Sequence, residues 1–113
     1  MININTLRNI IISWAKTLPY KVRIHLFGSY VKGNRKPSDI DVSIEFLHPF
    51  SKDERTNIWF DYHSKWEQYL CNITDSKIHL CLNEGEDSPQ MKTNLQDASL
   101  IVYDSSEQET QEQ

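Results

Sequence analysis

The stretch His25-Leu-Phe-Gly-Ser-Tyr-Val-Lys-Gly-Asn-Arg-Lys-Pro-Ser-Asp-Ile-Asp-Val-Ser-Ile44 decides how the chain is read. It opens inside an alternating run, Val22, Ile24 and Leu26 separated by Arg23 and His25, whose period of two predicts a strand that stops at Gly28. A second alternating run follows, with Ile40, Val42, Ile44 and Phe46 separated by Asp39, Asp41, Ser43 and Glu45. That strand has one apolar face and one face bearing carboxylates. Between the two, Gly33-Asn34-Arg35-Lys36-Pro37-Ser38 is dense in turn formers. Gly28-Ser29 stands at a strand end, where glycine lets the backbone approach a ligand and the following N–H groups can point at phosphate oxygens. Ten positions beyond Ser29, Asp39 and Asp41 leave the same face of their strand. Two carboxylates held side by side repel, and a divalent cation relieves the repulsion. Hard oxygen donors suit Mg²⁺, which shares its shell with substrate phosphates. Neither half is specific alone, since Gly-Ser is common at turns and Asp-x-Asp also occurs on charged edge strands; the combination at this spacing is what carries weight.

Outward from this stretch, Leu7, Ile10, Ile11, Trp14 and Leu18 follow helical spacing, predicting an amphipathic helix from about Asn5 to Thr17 closed by Pro19. Ser51 and Glu54 have capping-box spacing for a helix running to about Leu70. Its Ile58, Trp59, Tyr62, Trp66, Tyr69 and Leu70 lie on or near one face and read mostly as core, while Phe60 falls off the stripe. Residual aromatics there could serve a partner protein. Ile78, Leu80 and Leu82 alternate with Lys77, His79, Cys81 and Asn83 as a third strand. A short helix from Pro89 to Ala98 and a strand from Leu100 to Tyr103 complete the order. Helices and strands in this alternation predict an α/β (α+β) domain, a small mixed sheet flanked by helices.

The 113 residues allow one domain, expected over 1–103. No apolar run approaches the roughly 20 residues of a membrane span. The N-terminus lacks the basic region, long apolar segment and small-residue cleavage site of a signal peptide. Two cysteines, Cys71 and Cys81, are too few for a disulfide scaffold and point to a reducing cytoplasm. Residues 1–83 carry 11 Lys and Arg against 8 Asp and Glu, whereas residues 84–113 carry 1 Lys against 8 acids. A basic body favours a polyanionic ligand such as a nucleoside triphosphate. Residues 104–113 read as an acidic, solvated, disordered tail. Basic and aromatic residues are not interleaved as a dedicated nucleic-acid binder requires.

The run Gly28-Ser29-Tyr30-Val31-Lys32-Gly33 followed by Ser38-Asp39-Ile40-Asp41 resembles the signature of the DNA polymerase β-like nucleotidyltransferase superfamily, and in particular its minimal, MNT-type members. The motif covers residues 24–46, and the element order extends the likeness less specifically over about 5–103. The resemblance implies the polymerase β-like fold and transfer of a nucleoside monophosphate, AMP from ATP, to a hydroxyl. It implies that Gly28 and Ser29 hold the triphosphate, that Lys32 neutralises it, and that Asp39 and Asp41 bind Mg²⁺. It also implies the antitoxin role of MNT-type proteins, which pair with a HEPN-type toxin and can modify its tyrosine. The short chain leaves no room for an acceptor-binding domain, so the acceptor is expected on that partner.

One position departs from the pattern. The family's third carboxylate lies on a later strand, and here the matching context, Lys77-Ile78-His79-Leu80-Cys81-Leu82, puts His79 in its place. An imidazole can bind a metal or accept a proton, but it supplies no negative charge. The alternative expectation is therefore a protein of this fold that neutralises its partner by binding only; a regulatory nucleotide sensor is a third. Asp75 and Glu84 flank the strand but fall at its ends. His25 reads as a strand histidine beneath the site, His48 and His63 as surface or helix residues, and Cys71 as a small buried hydrophobe. His79-x-Cys81 places two zinc-type ligands on one strand face with no second pair to complete a site.

Overall fold

A computed structural model describes residues 2–28, 30, 31, 33, 39–47, 50–84, 89–97 and 99–105. Asn3 caps the first helix, its Oδ1 accepting from the Asn5 amide at 2.8 Å, and α1 (Ile4–Thr17) runs until Leu18 turns extended ahead of Pro19. Two strands follow, β1 (Val22–Phe27) and β2 (Ile40–Phe46). The second helix, α2 (Lys52–Thr74), starts at the expected capping box: the Glu54 amide donates to Ser51 Oγ at 3.2 Å, and the Ser51 amide donates to Glu54 Oε1 at 3.3 Å. It overruns the expected end at Leu70 by one turn, because Cys71 to Thr74 offer no breaker. Asp75 then ends it in the left-handed region at φ 50°. The remaining elements are β3 (Ile78–Leu82), α3 (Pro89–Asp97) and β4 (Ser99–Asp104).

The strands form one mixed sheet in the order β3-β2-β1-β4. β1 is antiparallel to β2 and β4, and β2 is parallel to β3, α2 making the crossover that a parallel pair requires. The alternation in β1 and β2 gives the sheet two unlike faces. Val22, Ile24, Leu26, Ile40, Val42, Ile44 and Phe46 face a core shared with Leu7, Ile11 and Trp14 of α1 and Trp66 and Leu70 of α2. Six of the large side chains, Leu7, Ile11, Ile24, Leu26, Ile44 and Leu70, are fully buried, each contributing about 1.5–3 kcal/mol. Arg23, His25, Asp41, Ser43 and Glu45 leave the other face.

The β3 edge of the sheet is covered by α2. The Leu80 amide on β3 donates to Glu67 of α2 at 2.9 Å, and Cys71 Sγ takes the Ile78 amide at 3.3 Å. Cys71 is thus a half-buried strand-edge partner and not simply a small hydrophobe. On the far side, β4 takes in Asp104, which the sequence reading assigned to the tail. Asp104 is buried and accepts from Arg23 Nε at 2.8 Å, while Ser105 Oγ accepts from the Val22 amide at 3.0 Å. An acid looked like tail because its burial depends on an arginine 81 residues away. Residues 106–113 of the expected tail lie outside the described residues, as do Ala98, His48 and most of the turn between β1 and β2.

The aromatic stripe of α2 is less of a core than its spacing suggests. Trp66 and Leu70 are buried, Ile58 and Trp59 are half-buried, and Tyr62 and Tyr69 are exposed, as is Phe60. The helix spans 23 residues, about 35 Å at 1.5 Å per residue, and no residue before Trp66 is fully buried against the sheet. Among the described residues no helix is long and apolar enough to cross a membrane.

Candidate active site

The site is built where β1 ends and β2 begins. Phe27 pairs with Asp41, so the bend at Gly28 falls beside the Asp41 carboxylate. Gly28 has φ +80°, and a Cβ placed on it would run into Asp41 Oδ2 and lie 3.2 Å from Asp41 Cγ. Only a residue without a side chain allows the acid and the bend to approach this closely. Asp39 precedes the first residue of β2, two positions from Asp41, on the same face. Its Oδ1 is shielded from solvent and makes no hydrogen bond.

Parallel pairing of β2 with β3 sets two basic side chains against the two acids. His79 lies directly opposite Asp41, and its Nδ1 donates to Asp41 Oδ1 at 3.3 Å, since a carboxylate only accepts. One register step earlier the Ile40 amide donates to the Lys77 carbonyl at 2.9 Å, and Lys77 Nζ stands 3.5 Å from Asp39 Oδ1. His79 therefore stands beside Asp41 at the exposed end of the acids. Lys77 was not singled out from the sequence; its spacing from His79, matching that of Asp39 from Asp41, was the signal. Ser29 and Lys32, expected to hold the triphosphate, lie outside the described residues.

Below the acids, Ser43 is buried opposite both His25 and Cys81. His25 Nδ1 and Ser43 Oγ are shielded without hydrogen-bond partners. Burial pushes the His25 imidazole below its ordinary value, against an upward pull from Glu45. Burial, with Asp41 and Glu67 near, pushes the Cys81 thiol up to about 11, which keeps it protonated and weakly nucleophilic at neutral pH. No group of three or more His, Cys, Asp or Glu that could hold a metal exists among the described residues. The pair Asp39 and Asp41 still fits Mg²⁺ chemically. Both offer hard oxygens, one of them shielded and without a hydrogen bond, and Mg²⁺ is commonly held by one or two carboxylates with the rest of its shell from phosphates and water. Two surface hollows of about 420 and 320 Å³, meeting at Tyr69, lie between α1 and α2 on the helical side of the sheet, away from these acids.

A glycine bend against paired acids on the open face of a small mixed sheet defines a nucleotidyltransferase-like domain. The sequence model of the nucleotidyltransferase domain family matches residues 7–102, and the chain belongs to that family. No curated protein matches it. Among solved structures, the chain is similar to a Shewanella oneidensis complex of a tri-AMPylated HEPN toxin with an MNT antitoxin, at 20% identity and a TM-score of 0.58 over 94% of this chain and 76% of that one. It is also similar to a mutant MntA-HpeT toxin–antitoxin, at 20% identity and a TM-score of 0.60 over 86% and 73% of the two chains. A toxin–antitoxin structure with AMP-PNP matches at 20% identity and a TM-score of 0.57 over the same shares. At these identities the likeness establishes a shared fold.

Proposed function

We propose that the chain is an Mg²⁺-dependent nucleotidyltransferase that moves AMP from ATP to a hydroxyl of a HEPN-type toxin, acting as its antitoxin in the cytoplasm. The observation that carries the reading is the contact of the Gly28 bend with the Asp41 carboxylate, Asp39 beside it on the same face. In the transfer, the acceptor oxygen attacks the α-phosphorus, the α–β bridging bond breaks, and pyrophosphate leaves with the bonding electrons. Asp39 and Asp41 would hold the cation, which when bound would supply charge stabilisation to the transferring and leaving phosphates. Gly28 and Ser29 would hold the polyphosphate, and Lys32 would offset its charge. His79 is the acceptor of the hydroxyl proton in this reading: in the neutral tautomer whose Nδ1–H donates to Asp41, Nε2 carries the lone pair and would take that proton. The named HEPN–MNT complexes of the same fold, one of them AMPylated, support the choice of acceptor and partner.

The test is intact-mass measurement of the purified pair, toxin and this chain, incubated with ATP and Mg²⁺. The toxin gains the mass of one or more AMP groups with wild type and none with Asp39→Ala. An unmodified toxin in both reactions contradicts the proposal.

A second reading, neutralisation by binding alone, is favoured by two observations: a histidine, and not a carboxylate, faces Asp41 from β3, and no three-ligand metal group is assembled among the described residues. Under it, a protein with both Asp39→Asn and Asp41→Asn blocks the toxin as well as wild type. Under the catalytic reading that double variant fails, and His79→Asp changes the transfer rate.

A further inference from the structure

Each acid of the site has its own basic partner, His79 on β3 and Lys77 just before it, and the two partners differ in kind. His79 is a short, directional donor to Asp41. Lys77 is a flexible, permanently charged side chain whose backbone is fixed, by the Ile40 amide on its carbonyl, at the step of the ladder beside Asp39. Its Nζ is 3.5 Å from Asp39 Oδ1, and that oxygen makes no hydrogen bond. The Lys77 side chain is 78% exposed, so the pair is held loosely. A cation settling on Asp39 would repel the ammonium. Four methylene groups let it swing while its backbone stays on the ladder. A polyphosphate sharing the cation's shell would then offer the ammonium another anion.

We propose that Lys77 is a nucleotide-binding residue that changes partners: it neutralises Asp39 while the site is without a cation, and moves to the polyphosphate oxygens when the cation and nucleotide bind. The inference rests on the nucleotidyltransferase reading above. It makes opposite demands on two ligands. Toward a bare divalent cation Lys77 is a competitor for Asp39. Toward a cation-bound nucleotide it is a donor.

The experiment compares wild type, Lys77→Ala and Lys77→Arg for binding of Mn²⁺ alone, by water-proton relaxation, and of AMP-PNP with saturating Mn²⁺, by calorimetry. Lys77→Ala should bind Mn²⁺ alone about twofold to fivefold more tightly, the worth of an exposed ion pair. It should bind the nucleotide complex about tenfold more weakly, the worth of a charge-assisted contact. Lys77→Arg should recover most of the nucleotide affinity. Circular dichroism establishes that each variant is folded. The two changes must have opposite signs, and any other pattern in Lys77→Ala, including unchanged nucleotide affinity, overturns the assignment of Lys77. If wild type itself fails to bind AMP-PNP with Mn²⁺, the nucleotidyltransferase reading falls and the inference falls with it.

Discussion

Gly28 is the residue on which the site turns. Its φ of +80° costs a side-chain-bearing residue about 1–2 kcal/mol, and any Cβ there would also displace the Asp41 carboxylate. Gly33 has nearly the same φ, +82°, with open space where a Cβ would stand. The two glycines therefore form a matched pair. Gly33→Ala should lose about 1–2 kcal/mol in denaturant melts and leave Mn²⁺ binding intact. Gly28→Ala should lose at least as much stability and also lose Mn²⁺ binding; equal metal binding in the two variants would contradict the contact. His25 makes a second residue-scale prediction. Its folded value lies below the ordinary 6.5 because it is buried, with Glu45 and Asp104 opposing the shift and Arg23 adding to it. The unfolded chain then binds the proton more readily, so this stability is present above about pH 6.5 and is lost as pH falls through the folded value. His25→Gln should flatten the loss of stability between pH 7 and pH 5, and an unchanged pH profile would count against it. That Asp39 and Asp41 share a face was legible because a period of two fixes it; Gly28 was marked by its place at a strand end, and His79 by the resemblance. Lys77 was not, because its place beside Asp39 depends on which strands are neighbours, which periodicity does not specify.

Strands and helices followed their sequence signals closely where the signal was local, as in the capping box of Ser51 and Glu54 and the alternation of β2. They departed where tertiary contacts decide. Helix α2 leaves Tyr62 and Tyr69 exposed although they share a stripe with buried Trp66 and Leu70: Tyr62 stacks on Trp66, and Tyr69 lines the hollows between α1 and α2. Strand β4 extends through Asp104, held by Arg23 on β1, which Glu45 on β2 also contacts at 3.3 Å. Asp104 bonding raises the Arg23 guanidinium above its ordinary value, so the pair stays ionised wherever the carboxylate is. With Arg23 one-third exposed, Arg23→Ala should cost about 1–2 kcal/mol. Hydrogen exchange should show earlier opening of Val102 and Tyr103 than of Val42 and Ile44. Uniform opening of all four would mean that β4 is held by something other than this tie.

At the scale of the molecule, the sheet separates two jobs. One face is sealed by α1 and α2 over the shared core, and the other carries the acids, His79 and Lys77 where a ligand can reach them. The central claim is that a cation and a triphosphate are held between the Gly28 bend and the acids of β2. X-ray diffraction from crystals grown with Mn²⁺ and AMP-PNP, collected above the manganese absorption edge, tests it most directly. The account predicts an anomalous peak bonded to oxygens of both Asp39 and Asp41, with the polyphosphate running along the Gly28 bend. A manganese peak away from these two carboxylates, or a nucleotide bound with neither acid in contact with the metal, would contradict it.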